Sequence, residues 1–169
     1  MHLSNEELLN AGLVSGLILA LAIAVIVAAL AFFFSLEKRK RISRAYLKST
    51  LADLDYATGE NFERYLLAFF EAQGYRGHLT DKSHDYGADL VLHKDGRTTV
   101  VQAKRYRGRV GVAAVQQVVG AKSYYKADDM IVATNAYFTA PAKKLAAANH
   151  VTLLDREYFK QQESIRNTQ

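Results

Sequence analysis

Cysteine is absent from the 169-residue chain, which excludes disulfides and thiolate zinc sites and suits a cytosolic domain. Phosphate-cradling loops are missing too: neither the Walker pattern nor G-x-G-x-x-G occurs. The five histidines show no zinc-ligand spacing, and His84 and His93 read as solvent-facing or locally hydrogen-bonded groups. Ser83-His84-Asp85 names the members of a hydrolase triad, but consecutive side chains cannot converge on one another. No internal repeat or low-complexity linker is present. Charge is missing over one long stretch, since Ala11 to Leu36 contains no Asp, Glu, Lys or Arg.

That uncharged stretch, almost wholly Leu, Ile, Val, Ala and Phe, exceeds the roughly 20 apolar residues that span a bilayer as a helix. A signal peptide carries positive charge before a shorter apolar run; here Glu6 and Glu7 precede it and the bases follow. A core helix in so small a protein is rarely apolar on every face. Residues 11–36 therefore read as one transmembrane helix, with 1–10 as a short extracytoplasmic amino end. Lys38, Arg39, Lys40, Arg41, Arg44 and Lys48 stand against Glu37 alone and keep that flank in the cytoplasm. The expected location is the inner, cytoplasmic membrane, single-pass, with the remainder of the chain inside. This short run also supplies most of the net charge of +5, so overall charge says little about nucleic acid. The same bases suit anionic lipid head groups.

Residues 37–57 read as a basic juxtamembrane connector ending in a short helix, 58–160 as a folded domain and 161–169 as a polar tail. Thr58 is placed to cap a helix whose stripe is Phe62, Tyr65, Leu66, Phe69 and Phe70, stopping at Gly74. Glu63 flanks that stripe. Tyr75–Thr80 reads as a strand, Gly111–Lys126 as a helix, Asp129–Asn135 as a buried strand. Thr139 caps a helix with Pro141 near its start, and Val151–Leu154 is a last strand before a helix begun by Asp155. Strands paired first as a hairpin and then alternating with helices predict an α/β fold, a mixed central sheet flanked by helices.

Chemistry concentrates where Asp95-Gly96 separates two runs rich in Val, Leu and Thr, the strongest short hairpin signal. A two-residue turn there pairs residues whose numbers add to 191, so Asp89 opposes Gln102 and Gly87 opposes Lys104. Opposed residues share a face at about 4.5–5.5 Å between Cβ atoms, and Lys104, two residues beyond Gln102, points the same way. Carboxylate and amide oxygens suit a hard cation such as Mg²⁺. An adjacent lysine can orient an attacking water or stabilise charge on a phosphorane. An exposed Asp89–Lys104 salt bridge is the bland alternative.

The order Glu63, Asp85-x-Gly87-Ala88-Asp89, then Val101-Gln102-Ala103-Lys104-Arg105-Tyr106 resembles the catalytic domain of Mrr-type restriction endonucleases. These are PD-(D/E)xK nucleases whose last motif is Q-x-K, and the fold implied is restriction-endonuclease-like. Val110-Gly111, Val115-Gln116, Val132-Ala133-Thr134-Asn135, Tyr137-Phe138-Thr139, Ala142 and Leu153-Leu154-Asp155-Arg156 extend the resemblance. It implies that Asp89 is the principal metal ligand. Gln102 stands for the second acidic ligand, helped by the Ala103 backbone carbonyl. Lys104 is the catalytic lysine, and Glu63 the helix acid that can hold a second metal or a water. Asp85 and Gln116 match recurrent polar positions without an assigned role. Gln102 is neutral where the parent pattern has an acid, so the site carries one negative charge fewer.

The implied activity is that of a membrane-anchored endodeoxyribonuclease using Mg²⁺ or Mn²⁺, of restriction or DNA-defence type. Arg105, Tyr106, Arg107 and Arg109 are the expected DNA contacts, placed to reach phosphates. Cutting both strands calls for two active sites, hence a homodimer. Two alternatives stay open: a non-catalytic module tethering DNA to the membrane on a degenerate nuclease fold, and a membrane-linked scaffold that contacts proteins alone. No base-reading module is visible. The topology has its own check: a reporter fused after Gln169 should behave as cytoplasmic, and a signal from outside the membrane contradicts the basic-flank argument.

Overall fold

Asp95 and Gly96 both adopt positive φ, 51° and 76°, the combination that a type I′ hairpin bend requires. The bend joins β2 (Leu90–Lys94) to β3 (Arg97–Lys104). The observed pairs, Leu90 with Val101 through Lys94 with Arg97, follow the register predicted from the turn. This is a computed structural model describing the backbone of residues 5–81 and 86–168; Asp85 and His84 fall outside the described residues. His93 is exposed, with Nδ1 3.2 Å from Thr98 Oγ1, a local partnership as expected.

The chain forms two compact units, residues 1–42 and 43–169. α1 (Asn5–Leu47) includes a 22-residue candidate span, Val14–Ser35, with mean hydropathy 3.1 and every side chain exposed. At 1.5 Å per residue such a span measures about 33 Å, against about 30 Å for the hydrocarbon core of a bilayer. The helix continues to Leu47 through the stretch expected as connector, because Lys, Arg, Ala and Leu are all good helix formers.

The second unit is a three-layer domain around a five-stranded mixed sheet in the order β1-β2-β3-β4-β5. β1 (Arg76–Leu79), β2 and β3 are antiparallel. β3, β4 (Asp129–Thr134) and β5 (Val151–Leu154) are parallel, joined by α4 (Val112–Tyr124) and α5 (Ala140–Ala148). Because β3 is covered on both sides, its middle reads as a continuous buried run rather than an alternating one. Val100 joins the core beneath α4 and α5 with Val115, Val118 and Val132. Val101 joins the opposite core, beneath α3 (Gly59–Ala72) and α6 (Arg156–Thr168). There Phe62, Tyr65, Phe69 and Phe159 pack rings at centroid separations of 5.5–6.5 Å.

Caps fall where the side chains predict them. Thr58 Oγ1 accepts from Asn61 N at 3.2 Å, and Thr139 Oγ1 from Ala142 N at 3.2 Å. α2 (Leu51–Tyr56) carries a reciprocal capping box between Thr50 and Asp53. The stretch expected as a polar tail is instead the second half of α6, which runs to Thr168.

Gly87 does not simply leave room opposite Lys104, as the register alone suggested. It sits at φ 91°, and a Cβ there would lie 2.3 Å from the Gln117 carbonyl oxygen of α4. The glycine is what lets this helix close against the loop leading into β2. Gly87→Ala should combine left-handed strain with overpacking and destabilise the domain by about 3 kcal/mol. Urea denaturation of the variant and the parent chain measures this.

Candidate active site

The strict register ends at Leu90–Val101. Asp89 N donates to Val101 O at 2.8 Å, and Asp89 O accepts from Thr80 N at 2.9 Å. The first bond is one residue out of step with the ladder, a departure of the kind a β-bulge makes where a side chain must be re-aimed. It holds the Asp89 backbone from both neighbouring strands. The Asp89 carboxylate then turns onto β3: Oδ2 accepts from Ala103 N at 2.7 Å and from Gln102 Nε2.

Gln102 is 3% exposed, an amide that follows the buried Val100-Val101 pair in β3. A buried amide without partners would cost about 1–3 kcal/mol, and Gln102 finds two. Besides Asp89, its Nε2 lies 3.5 Å from the Ala103 carbonyl oxygen. One positive end of the amide dipole thus stands before two oxygens, a carboxylate and a backbone carbonyl. Which end of an amide faces a partner is assigned from its hydrogen bonds. Rotation about χ3 presents Oε1 to the same place, making three oxygens around it. A hard divalent cation prefers that donor chemistry, with water completing its shell. The residues fit such an ion, although among the described residues no three His, Cys, Asp or Glu side chains cluster.

Lys104 follows Gln102 by two residues and lines a cavity of about 290 Å³ against α4, together with Tyr106, Arg109, Ala114 and Gln117. Gln116 and Gln117 are both exposed on the same helix, and it is Gln117 that lines the Lys104 cavity. α4 carries Val and Ala around most of its circumference, which leaves its phase hard to read from apolar spacing. Glu63 is half-buried on α3, the helix that covers the sheet face turned away from α4. Arg105 Nη1 reaches toward Asp55 O at 3.5 Å, just before the α3 cap, so α3 begins at the end of the sheet that carries Lys104. The same half-buried Arg105 has its Nε enclosed with no hydrogen-bond partner among the described residues.

Residues 54–162 match the Mrr catalytic-domain family model, described as a restriction endonuclease. The chain belongs to the Mrr catalytic-domain family of restriction endonucleases. No curated protein matches it. Among solved structures, it resembles the apo form of EndoMS, with TM-score 0.47 and 16% identity over 59% of this chain and 46% of that one. The MspJI restriction endonuclease in complex with a 27-mer oligonucleotide gives TM-score 0.41 and 18% identity, over 73% and 29% respectively. A protein of unknown function, AF1548, gives 0.49 and 16%, covering 55% of both chains. The chain spans about half the length of AF1548 and of EndoMS, and less than a third of MspJI.

The Mrr domain begins with α2, and one polar cluster explains why. Asp55 takes two hydrogen bonds from Arg156, to Nη1 at 2.7 Å and Nη2 at 2.8 Å. It takes a third from Asn135 Nδ2 at 2.9 Å. Asn135 Oδ1 in turn accepts from Tyr106 N at 2.8 Å, which fixes the backbone just past Lys104. Asn135 and Arg156 lie within the motif series, but Asp55 sits in a stretch that reads as connector. Only the fold brings these positions together.

The Arg156 guanidinium holds the Asp55 carboxyl below the usual carboxylate range, with Asn135 adding to the effect and partial burial opposing it. A lowered folded-state value means that the stabilisation is complete above the unfolded value, about 3.9. It fades as pH falls through the folded one. Asp55→Asn should therefore cost about 1–2 kcal/mol at pH 7, discounted for partial solvent exposure of the pair. Urea titrations should show this gap closing as pH falls below the unfolded value, about 3.9.

Proposed function

We propose that this chain is a membrane-anchored DNA endonuclease of Mrr type that requires Mg²⁺ or Mn²⁺, with residues 58–160 as its working domain and the apolar segment of α1 as a single N-out, C-in anchor. The observation that carries the reading is the Asp89 carboxylate turned onto Gln102 and Ala103, beside Lys104, in a domain of this family. Asp89, Gln102 through its amide oxygen, and the Ala103 carbonyl would hold the ion, with Glu63 available for a second ion or a water. When bound, such an ion supplies Lewis-acid polarisation of a phosphoryl oxygen and a more acidic water.

The chain's own groups divide the remaining work. Asp89 is oriented by the Ala103 N–H, which bonds its Oδ2. Lys104, at the mouth of its cavity, offers an ammonium to the charge that builds on a phosphate oxygen during attack. Its N–H groups can also hold the attacking water in line. Tyr106, Arg107 and Arg109 follow at once on exposed backbone and are placed for phosphates on either side of the cleaved bond. Arg105, turned toward Asp55, acts closer to the protein. Cutting both strands requires a second copy, which a homodimer would provide. Restriction or DNA defence is the biological role this chemistry fits.

A second reading, a non-catalytic module that tethers DNA to the membrane, draws on the single carboxylate in the oxygen set. Plasmid cleavage with Mg²⁺ separates the two. Lys104→Ala should lower the rate at least about 100-fold while DNA retention persists, and Asp89→Asn should abolish the response to added metal. Equal cleavage by Lys104→Ala and the parent chain, or none by either, removes the catalytic assignment. Salt-sensitive DNA retention that survives Asp89→Asn and needs no divalent ion supports the tether.

A further inference from the structure

Beyond the Lys104 cavity opens a larger one of about 620 Å³, within the range of about 300–1,000 Å³ typical of ligand sites. Tyr106 and Arg109 line both, so the two cavities share a wall. A strand crossing Lys104 would meet the larger one at the neighbouring nucleotide. Tyr56, Tyr106 and Tyr137 contribute three phenol rings to it. Tyr56 is 88% exposed and Tyr106 57%, large apolar faces left in water at the edge of a pocket.

The charge around these rings leans positive. Arg107, Arg109 and Arg156 line the cavity against Asp55, the one carboxylate among its described lining residues, while Glu157 Oε1 accepts from the Tyr137 hydroxyl at 2.8 Å. Arg156 already takes both Asp55 oxygens. What the pocket still offers an incoming group is therefore the guanidinium of Arg107 and that of Arg109, whose Nη1 makes a long 3.4 Å bond to Phe138 O. The floor is built rather than loose, because Asn135 is 3% exposed and bonded through both ends of its amide.

Rings for stacking beside cations for phosphate are what proteins present to single-stranded nucleic acid, where base faces are open. In an intact duplex each base face is covered by its neighbours, and only edges show. We propose that this cavity receives one unstacked nucleotide next to the phosphate at Lys104, which makes the preferred substrate DNA with an unpaired position (frayed, gapped, mismatched or single-stranded) rather than a perfect duplex. The proposal rests on the DNA-cleavage reading above and narrows its substrate.

The test uses the full chain in detergent micelles with EDTA, so that nothing is cut. Anisotropy compares a labelled perfect duplex with the same duplex carrying one unpaired 2-aminopurine, whose fluorescence reports its stacking. The unpaired DNA should bind about tenfold more tightly, with a change in 2-aminopurine emission. The preference should collapse in Tyr56→Ala combined with Tyr106→Ala and return in Tyr106→Phe, which keeps the ring. Equal affinity for both DNAs overturns the proposal and leaves DNA cleavage standing, since the loss on Lys104→Ala is read separately. A preference that survives removal of both rings also overturns it. Failure to bind either DNA also overturns this proposal, while the cleavage reading is decided by the plasmid assay with Mg²⁺.

Discussion

A buried amide has no place in the middle of a sheet unless something takes its hydrogens, and in this domain that something is Asp89. Gln102 is flanked by Val101, packed beneath α3, and by Ala103, partly covered on the same side, while its own side chain turns toward the α4 layer. The carboxylate that satisfies it comes from the one residue of the β2 strand line that leaves the regular ladder. Remove that bond and a polar group is stranded in the core. Break the ladder elsewhere and the carboxylate loses its aim. Fold and candidate chemistry thus rest on the same contact.

The contact also explains how one acid and one amide can be enough to build a site. Backbone groups supply what side chains do not. The Ala103 N–H orients the carboxylate, and the Ala103 carbonyl stands beside the amide. Backbone atoms held in a central strand lose almost no freedom when they engage a ligand, since that entropy is already spent on folding. The neutral Gln102 lowers the attraction for a cation by a full charge. It also lowers the repulsion that two close carboxylates would suffer before the ion arrives.

Much of this was legible from the chain alone, and the reasons differ from element to element. The hairpin could be read from Lys94–Arg97 to Leu90–Val101 because Asp95-Gly96 demands one turn geometry, whereas the step out of register at Asp89, beyond that ladder, has no signal in the turn. The caps at Thr58 and Thr139 were legible because side-chain oxygens bond within a few residues. Other features depend on distant partners. Asp55 looks like one more charge near a basic run, and nothing local announces Asn135 or Arg156. The choice between Gln116 and Gln117 turns on helical phase, and a helix with Val and Ala on most sides blurs it. Gly87 belongs to the same class: the atom that requires a glycine there is a carbonyl of α4, thirty residues further along.

The pairing of Asp55 with Arg156 joins positions 101 residues apart. The segment that enters the domain and the helix that closes it are therefore riveted at a single ionic joint. Because Asn135 also holds Tyr106 N, any displacement arriving through residue 50 would be passed to α6, to the loop at Asn135 and to the end of β3 beside Lys104. The joint that closes the domain is thus also what sets the backbone next to the lysine, its first point of yielding being a guanidinium fork instead of a strand.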